Sequence, residues 1–301
     1  MSDVTQQHCG LVAIVGAPNA GKSTLVNALV GQKVAIVSPK AQTTRTRLMG
    51  VAIREATQLL LVDTPGIFEP RRRLDRAMVA AAWGGADGAD VIALVVDGKG
   101  GLGPKVTEIV EALKSRSEPI YLVLNKVDLA DKGKLLIHAE RLNAILPFAE
   151  TFFISAQTGD GLAELKNALA AMMPAGPWHY PEDQVSDASE RALAAEVTRE
   201  QLYLQLHAEL PYASVIETEK FTDREDGSAE IHQQIMVERT SQRAIVLGKG
   251  GTRIREIGAR ARAELAVLLD RPVHLYLHVK VKPGWDEDRG VFRDMGLDWV
   301  D

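Results

Sequence analysis

The feature that most constrains this chain is a glycine-rich stretch near its amino terminus. Residues 16–23 read Gly-Ala-Pro-Asn-Ala-Gly-Lys-Ser and directly follow the apolar run Leu11–Val15. This spacing of glycines, lysine and serine is typical of a phosphate-binding loop, which joins a buried strand to the helix that it opens. The stretch therefore predicts an α/β domain built around a mostly parallel sheet.

The pattern along the rest of the first half agrees with that fold. Further short apolar runs predict buried strands at Gln58–Asp63, Val91–Asp97, Ile120–Asn125 and Thr151–Ile154. Helical stretches begin near Lys22, Arg72, Pro104, Lys134 and Leu162. Strands that alternate with helices form a parallel sheet with helices on both faces. We expect a mixed, mostly parallel sheet of the P-loop type.

The alternation stops near Met173, where prolines and polar residues follow. We place a first domain at 1–174, a linker at 175–188 and a second domain at 189–301. The second half predicts a helix, a hairpin formed by Ala213–Phe221 and Ile231–Arg239, two helices, and a final strand near Leu275–Val281. This order predicts a smaller α+β domain.

Composition narrows the class of protein. The 301 residues are 46% hydrophobic and 25% charged, as in average globular proteins. No apolar run approaches the roughly 20 residues of a membrane helix, and residues 1–10 lack the pattern of a secretion signal. A single cysteine, Cys9, excludes an intramolecular disulfide. We therefore expect a cytoplasmic protein.

Charge is distributed unevenly along the chain. The net charge is −5, yet ten Lys or Arg and three acids between Arg239 and Lys282 give that stretch +7 and the remainder −12. The overall charge argues against general coating of nucleic acid. A basic module attached to an acidic one leaves a local nucleic-acid site open.

Residues suited to a magnesium–phosphate site recur after the glycine-rich loop. Lys22 can place a cation at the β- and γ-phosphates, and Ser23 can offer a hydroxyl to Mg²⁺. Asp63-Thr64-Pro65-Gly66 ends a predicted strand, where Asp63 can hold Mg²⁺ through water and the Gly66 N–H can reach the γ-phosphate. Thr43 or Thr44 can complete the metal shell, and we favour Thr44. The predicted metal residues are Ser23, Thr44 and Asp63.

A second group of motifs predicts which base is bound. Asn125-Lys126-Val127-Asp128 follows an apolar strand, and the Asp128 carboxylate can accept hydrogen bonds from the ring N–H and the amine of guanine. Adenine would leave that carboxylate unpaired, and such sites discriminate by roughly 10⁴ or more. Backbone N–H groups at Ser155-Ala156 can reach the guanine oxygen. The predicted nucleotide residues are Gly16, Ala17, Pro18, Asn19, Ala20, Gly21, Lys22, Ser23, Thr24, Asp63, Gly66, Asn125, Lys126, Asp128, Ser155 and Ala156.

Together these motifs make the first domain resemble a translation-factor-type small GTPase domain. The resemblance implies GTP and GDP as ligands with Mg²⁺, and Lys22, Thr44 and Gly66 as catalytic residues. Ile67 stands where Ras-like proteins have a water-orienting glutamine, which implies slow intrinsic turnover. Similar loops hold K⁺ beside the phosphates, so Asn19 is a candidate for that role. Alternatively, Asn19 bonds only its own backbone.

The basic segment contains Gly248-Lys249-Gly250-Gly251 between two predicted helices. A Gly-x-x-Gly loop is how KH modules clamp a single-stranded nucleic-acid backbone, although glycines also commonly cap helices. The order of elements resembles a type II KH domain. The candidate RNA residues are Gly248, Lys249, Gly250, Gly251 and Arg253.

A GTPase domain followed by a KH domain resembles the bacterial Era GTPase family over nearly the whole chain. Gln42-Thr43-Thr44-Arg45, Ile245–Gly251 and the segment from Lys280 to Trp285 also resemble that family. The resemblance implies binding to the 3′ end of 16S rRNA during maturation of the 30S subunit, with nucleotide state controlling access to RNA. It also implies some peripheral association with the inner membrane. We expect a monomer.

Two other functions fit part of the pattern. A P-loop enzyme that phosphorylates a metabolite would tolerate ATP and would not need Asp128. An RNA-binding scaffold that senses GTP without significant turnover would keep both sets of motifs but would not reset through hydrolysis.

Overall fold

A computed structural model describes residues 6–40, 43–206 and 210–300 of the chain. These residues form two compact units. The first consists chiefly of residues 6–35 and 43–187, and the second of residues 36–40, 188–206 and 210–299. Most of the segment predicted as a linker therefore lies in the first unit, where the Val51 N–H donates to the Val185 carbonyl at 2.8 Å.

The first unit contains a six-stranded sheet in the order β2-β3-β1-β4-β5-β6. Its strands are β1 (His8–Val15), β2 (Leu48–Arg54), β3 (Thr57–Asp63), β4 (Val91–Asp97), β5 (Ile120–Asn125) and β6 (Glu150–Phe153). Only β2 runs antiparallel to its neighbour; the other pairs in this sheet are parallel. The predicted mixed, mostly parallel sheet is confirmed. The antiparallel strand was not predicted from the sequence.

Five helices of this unit lie between or after the strands. They are α1 (Lys22–Val30), α2 (Arg73–Gly84), α3 (Pro104–Leu113), α4 (Lys132–Ile145) and α5 (Leu162–Ala171). Their apolar residues form two buried clusters with alternate residues of the central strands. In β1, for example, Val12 and Ile14 belong to one cluster and Ala13 and Val15 to the other. Both faces of the sheet are therefore covered, which explains the continuous apolar runs.

The second unit has the order α6 (Glu190–Gln205), β7 (Ser214–Asp223), β8 (Ala229–Val237), α7 (Thr240–Leu247), α8 (Thr252–Leu268), β9 (Val273–Val281) and α9 (Arg289–Asp294). Strands β7 and β8 form an antiparallel hairpin, and β9 pairs with β8 in parallel. The predicted α+β order is present. Its apolar core includes Leu202, Ile235, Val246 and Ile257.

The segment after β9 was not predicted from the sequence. A short turn at Trp285–Glu287 leads into α9, and the side chains of Trp285 and Phe292 are fully buried. Trp285 therefore belongs to the core of the second unit and is not available to stack on a base.

Candidate nucleotide and RNA sites

The glycine-rich loop lies between the carboxyl end of β1 and the first turn of α1, as predicted. Gly21 precedes α1 with φ 97°, and a Cβ there would lie 2.2 Å from the Asn125 Nδ2 atom. A Cβ on Gly66 would lie 2.8 Å from Pro18 Cγ. A side chain is therefore excluded at both positions, so that backbone can approach a phosphate closely at the amino terminus of α1 and in the segment after β3.

Lys22 is folded against this loop. Its Nζ donates to the carbonyls of Gly16 at 3.1 Å and Ala17 at 3.0 Å. Burial lowers the pKa of Lys22 to about 8, although the nearby Asp63 carboxylate opposes that shift. An ammonium held in a buried loop is poorly solvated, so an incoming phosphate would gain a strong electrostatic partner.

Three oxygen-bearing side chains meet beside Lys22. The Ser23 hydroxyl lies 2.8 Å from the Thr44 hydroxyl and donates to Asp63 Oδ2 at 2.7 Å. The Thr44 hydroxyl donates to the same Oδ2 atom at 2.9 Å. These side chains come from α1, from the segment before β2 and from the end of β3. The structure thus brings together the three residues predicted for the metal, and Thr44 is the threonine bonded to this cluster.

Asn125 joins the three loops expected to surround the base. Its Nδ2 donates to the Ala20 carbonyl at 2.9 Å. Its Oδ1 accepts from the N–H of Lys126 at 2.8 Å and from the N–H of Ala156 at 3.0 Å. Because Asn125 is buried, these bonds hold three loops in one arrangement. They are the phosphate loop at residues 16–23, the base loop at residues 125–128 and the Ser155 loop at residues 155–156.

Asp128 lies in a short 3₁₀ turn, Val127–Leu129, with its side chain exposed. The Ser155 side chain is buried, and its hydroxyl accepts from the Thr158 N–H at 3.1 Å. The Ser155 loop is therefore held by its own bonds, as base recognition through backbone atoms would require. The phosphate loop contains Asn19, and Thr24 follows it in α1. Lys126 follows Asn125 directly. Gln42 lies outside the described residues.

Sequence reasoning missed a residue of this region, Asp97. It ends β4 opposite Asn125 of β5, and its Oδ2 accepts from Lys126 Nζ at 2.6 Å. The sequence signal was a carboxylate directly after a buried strand, the same signal that identified Asp63. No motif accompanied it.

The Gly-x-x-Gly loop of the second unit joins α7 to α8. Gly248, Gly250 and Gly251 have positive φ values of 70°, 59° and 75°, and Lys249 is exposed. The Arg255 guanidinium donates to the carbonyls of Gly250 at 2.9 Å and Gly251 at 3.2 Å. The loop conformation is therefore fixed by a side chain from α8.

Arg253, predicted to meet RNA, already has a partner in the protein. Its Nη1 donates at 2.5 Å to the carbonyl of Gln205, the last residue of α6. A cation at a helix carboxyl terminus compensates unpaired carbonyls, so Arg253 stabilises the end of α6. Lys249 is exposed, and its ammonium has no such bond within residues 6–40, 43–206 and 210–300.

Two features are absent from the residues that the structure describes. Across residues 6–40, 43–206 and 210–300, no three His, Cys, Asp or Glu side chains are grouped as a metal centre would require. This leaves open a site built from hydroxyls and one carboxylate, as at Asp63. In the same ranges, no helix is both long enough and apolar enough to span a bilayer.

Comparison with protein families gives two matches along the chain. A family model described as 50S ribosome-binding GTPase matches residues 11–126, and a KH domain model matches residues 209–286. The first match includes the glycine-rich loop, Thr44, Asp63 and Gly66, and the second includes the Gly-x-x-Gly loop.

Curated relatives cover nearly the whole chain. The chain is 61% identical to the GTPase Era of Erythrobacter litoralis over 296 residues, 97% of each protein. It is 55% identical to the GTPase Era of Bradyrhizobium sp. strain BTAi1, covering 98% of this chain and 96% of the relative.

Solved structures agree over the same length. An Aquifex aeolicus Era variant bound to GDP and aluminium fluoride has a TM-score of 0.92 at 38% identity, covering 96% of this chain and 99% of that one. A structure of Era in complex with MgGDPNP and nucleotides 1506–1542 of 16S ribosomal RNA has a TM-score of 0.91 with the same identity and coverage. The chain is a GTPase with a P-loop domain followed by a KH domain, and it belongs to the Era GTPase family.

Proposed function

We propose that this GTPase is a switch that binds the 3′ end of 16S rRNA and assists maturation of the 30S subunit. The observation that carries the nucleotide part is the Ser23, Thr44 and Asp63 cluster beside a buried Lys22. The RNA part is supported by the Gly-x-x-Gly loop and by the relative solved with MgGDPNP and the 16S rRNA 3′ region. The role in 30S maturation rests on the family resemblance.

The cluster fits magnesium. Two hydroxyls and one carboxylate are hard oxygen donors, and Mg²⁺ usually takes one or two protein oxygens, substrate phosphates and waters. Their present contacts of 2.7–2.9 Å bring the oxygens to one point. We propose that Ser23, Thr44 and Asp63 would hold the ion. Bound Mg²⁺ would supply positive charge to offset the charge of the β- and γ-phosphates.

The chain's own residues perform the remaining steps. Lys22 releases the loop carbonyls and meets the phosphates, and the N–H of Gly66 meets the γ-phosphate. The Asp128 carboxylate accepts from guanine, while the backbone at Ser155-Ala156 faces the guanine oxygen. Thr44 senses the triphosphate because it lies on the segment that a γ-phosphate would order.

The side chain after Gly66 does not orient water. Ile67 is only 8% exposed and packs in the apolar core, while its N–H donates to the Gly16 carbonyl at 3.1 Å. Slow intrinsic turnover follows, with the missing assistance supplied by a partner or an ion. We propose Asn19 as a residue that helps hold K⁺ beside the phosphates. Equal hydrolysis rates in potassium and sodium buffers would exclude that role.

Single-turnover GTP hydrolysis with and without an RNA copy of the 16S 3′ end tests this function. A switch hydrolyses GTP and responds to the RNA. A GTP-sensing scaffold binds both ligands but shows no turnover in either condition. Binding of the RNA with no effect of GTP or GDP on its affinity would contradict the proposed switch.

Four further properties belong to the same proposal. They are a monomeric state, a cytoplasmic location, a peripheral fraction at the inner membrane, and association with the 30S subunit. Sedimentation of the purified protein with 30S particles, and separately with inner-membrane vesicles, tests the two associations. Recovery only in the supernatant would contradict them.

A further inference from the structure

Asp97 ties the base loop to the end of the neighbouring strand. Strands β4 and β5 run in parallel with Asp97 opposite Asn125, and the Gly98 N–H donates to the Asn125 carbonyl at 2.8 Å. Next to this pair, Asp97 Oδ2 accepts from Lys126 Nζ at 2.6 Å. Both side chains of this ion pair are about one third exposed, at 29% for Lys126 and 30% for Asp97.

Lys126 has a second partner in the phosphate loop. The same Nζ donates to the Asn19 carbonyl at 2.7 Å. Both residues have left-handed backbone conformations, with φ 66° at Lys126 and φ 63° at Asn19. Such conformations are unfavourable for residues with a Cβ and persist where surrounding contacts hold them. The Lys126 side chain therefore bridges two loops whose backbones need external support.

The two oxygens of Asp97 have separate partners. Oδ1 accepts from the N–H groups of Lys99 at 2.9 Å and Gly100 at 3.0 Å, which closes a turn after β4. Within the part of the chain that the structure describes, the hydrogen-bond partner of Oδ2 is Lys126. The turn fixes the carboxylate, and the fixed carboxylate in turn aims the Lys126 ammonium at the phosphate loop.

We propose that Asp97 is a positioning residue for guanine-nucleotide binding, acting through Lys126. It holds the Lys126 side chain across the gap between the base loop and Asn19, so that Asp128 and the phosphate loop keep the spacing that one nucleotide requires. The proposal deepens the nucleotide role proposed above and rests on it. Because the tie joins the base loop to the phosphate loop, and GDP and GTP share the base and the first two phosphates, it stabilises bound GDP and bound GTP equally.

Asp97→Asn isolates this role. The amide keeps a carbonyl oxygen for the N–H groups of Lys99 and Gly100 but cannot form an ion pair with Lys126. The measurement is the dissociation rate of a fluorescent GDP and of a fluorescent non-hydrolysable GTP analogue, with Mg²⁺ present. We expect dissociation about fivefold faster for both nucleotides, the size expected of a partly exposed charge-assisted bond. Asp97→Glu, which keeps the charge, should fall between the wild type and Asp97→Asn.

A double-mutant cycle separates positioning from general structural support. In a Lys126→Met background, Asp97→Asn should change dissociation by less than about twofold, because the partner is gone. Asp87→Asn is the matched control, since Asp87 forms an ion pair with Arg116 at 2.6 Å in the same unit, between α2 and β4. It should leave dissociation unchanged in both backgrounds.

Three results would overturn the proposal. They are equal acceleration by Asp97→Asn with and without Lys126, no acceleration in the wild-type background, and acceleration for only one of the two nucleotides. Failure of the proposed function itself would look different, because the wild type would then show no bound nucleotide to release.

Discussion

Lys22 links the stability of the first unit to its ligand. Its pKa is about 8 in the folded protein because the ammonium is buried, whereas the ordinary value is 10.5. The unfolded chain therefore binds more protons between these two pH values, and folding becomes more favourable as pH rises through that window. Below about pH 8 the folded, nucleotide-free protein carries the full cost of a buried charge.

Wild type and Lys22→Met should differ in how the free energy of unfolding depends on pH. From pH 7 to about pH 10.5, the unfolding free energy of nucleotide-free wild type should rise by up to about 3 kcal/mol relative to Lys22→Met. Urea unfolding at several pH values measures it.

Lys105→Met serves as the control because Lys105 is exposed on α3. Its stability difference from wild type should stay constant over the same pH range. A constant difference for Lys22→Met as well would show that Lys22 is not desolvated in the free protein.

Single residues of the nucleotide site were predictable where a motif fixed their spacing. Lys22 and Ser23 open α1, and Asp63 and Asn125 end strands β3 and β5, as the motifs indicate; their roles at the nucleotide stay predictions. Asp97 was not found, because its partner Lys126 is 29 residues away and only the register of β4 with β5 brings them together. The spacing of residues along the sequence does not indicate which residues of two neighbouring strands lie opposite each other.

At the scale of elements, the basic residues of the Gly-x-x-Gly loop and of α8 have two different roles. Lys249 is exposed in the loop, whereas Arg253 bonds to the last residue of α6. We predict that Lys249→Gln reduces the slope of log affinity against log salt for a single-stranded RNA by about 0.7. Arg253→Gln should change the slope less and should instead lower stability by about 1 kcal/mol.

Fluorescence anisotropy over a salt series and thermal unfolding provide the two readouts. Arg262→Gln, an exposed arginine further along α8, should leave the stability of the second unit unchanged. Equal slope changes for Lys249→Gln and Arg253→Gln, with unchanged stability, would mean that both residues meet phosphates as the sequence suggested.

The elements themselves were predicted best where their apolar periodicity was strong. Strands β1, β3, β4 and β5 appear as predicted because they are buried on both faces. Strand β2 was missed because it follows a polar segment, and its place at the sheet edge is set by pairing with β3. Helix α9 was missed because six residues are too few to show a period, and Trp285 and Phe292 reveal their role only by burial.

At the scale of the whole chain, residues 36–40 are held within the second unit although the residues around them in sequence belong to the first. The Val37 N–H donates to Glu200 Oε1 at 2.7 Å, and Lys40 Nζ donates to the carbonyls of Tyr203 and Leu206 near the end of α6. Thr44 of the metal cluster follows four residues later in sequence. Thr44 is therefore four residues along the sequence from a lysine that is bonded to α6.

We predict that Lys40→Met weakens the coupling between nucleotide and RNA. The ratio of RNA affinities with a GTP analogue and with GDP should move toward one by about threefold, and by reciprocity the ratio of nucleotide affinities should shift equally. Paired titrations of RNA and nucleotide measure both ratios. Lys132→Met, an exposed lysine on α4, is the control and should leave them unchanged. An unaltered ratio in Lys40→Met would exclude this route.

We propose that the Asp128 carboxylate in the first unit identifies the guanine base. Hydrolysis by wild type and by Asp128→Asn, each supplied with GTP or xanthosine triphosphate and Mg²⁺, tests it most directly. We expect Asp128→Asn to lose GTP turnover by a factor of roughly 10² or more. It should gain turnover of xanthosine triphosphate, because its amide complements the extra oxygen of xanthine. Undiminished GTP hydrolysis by Asp128→Asn would contradict it.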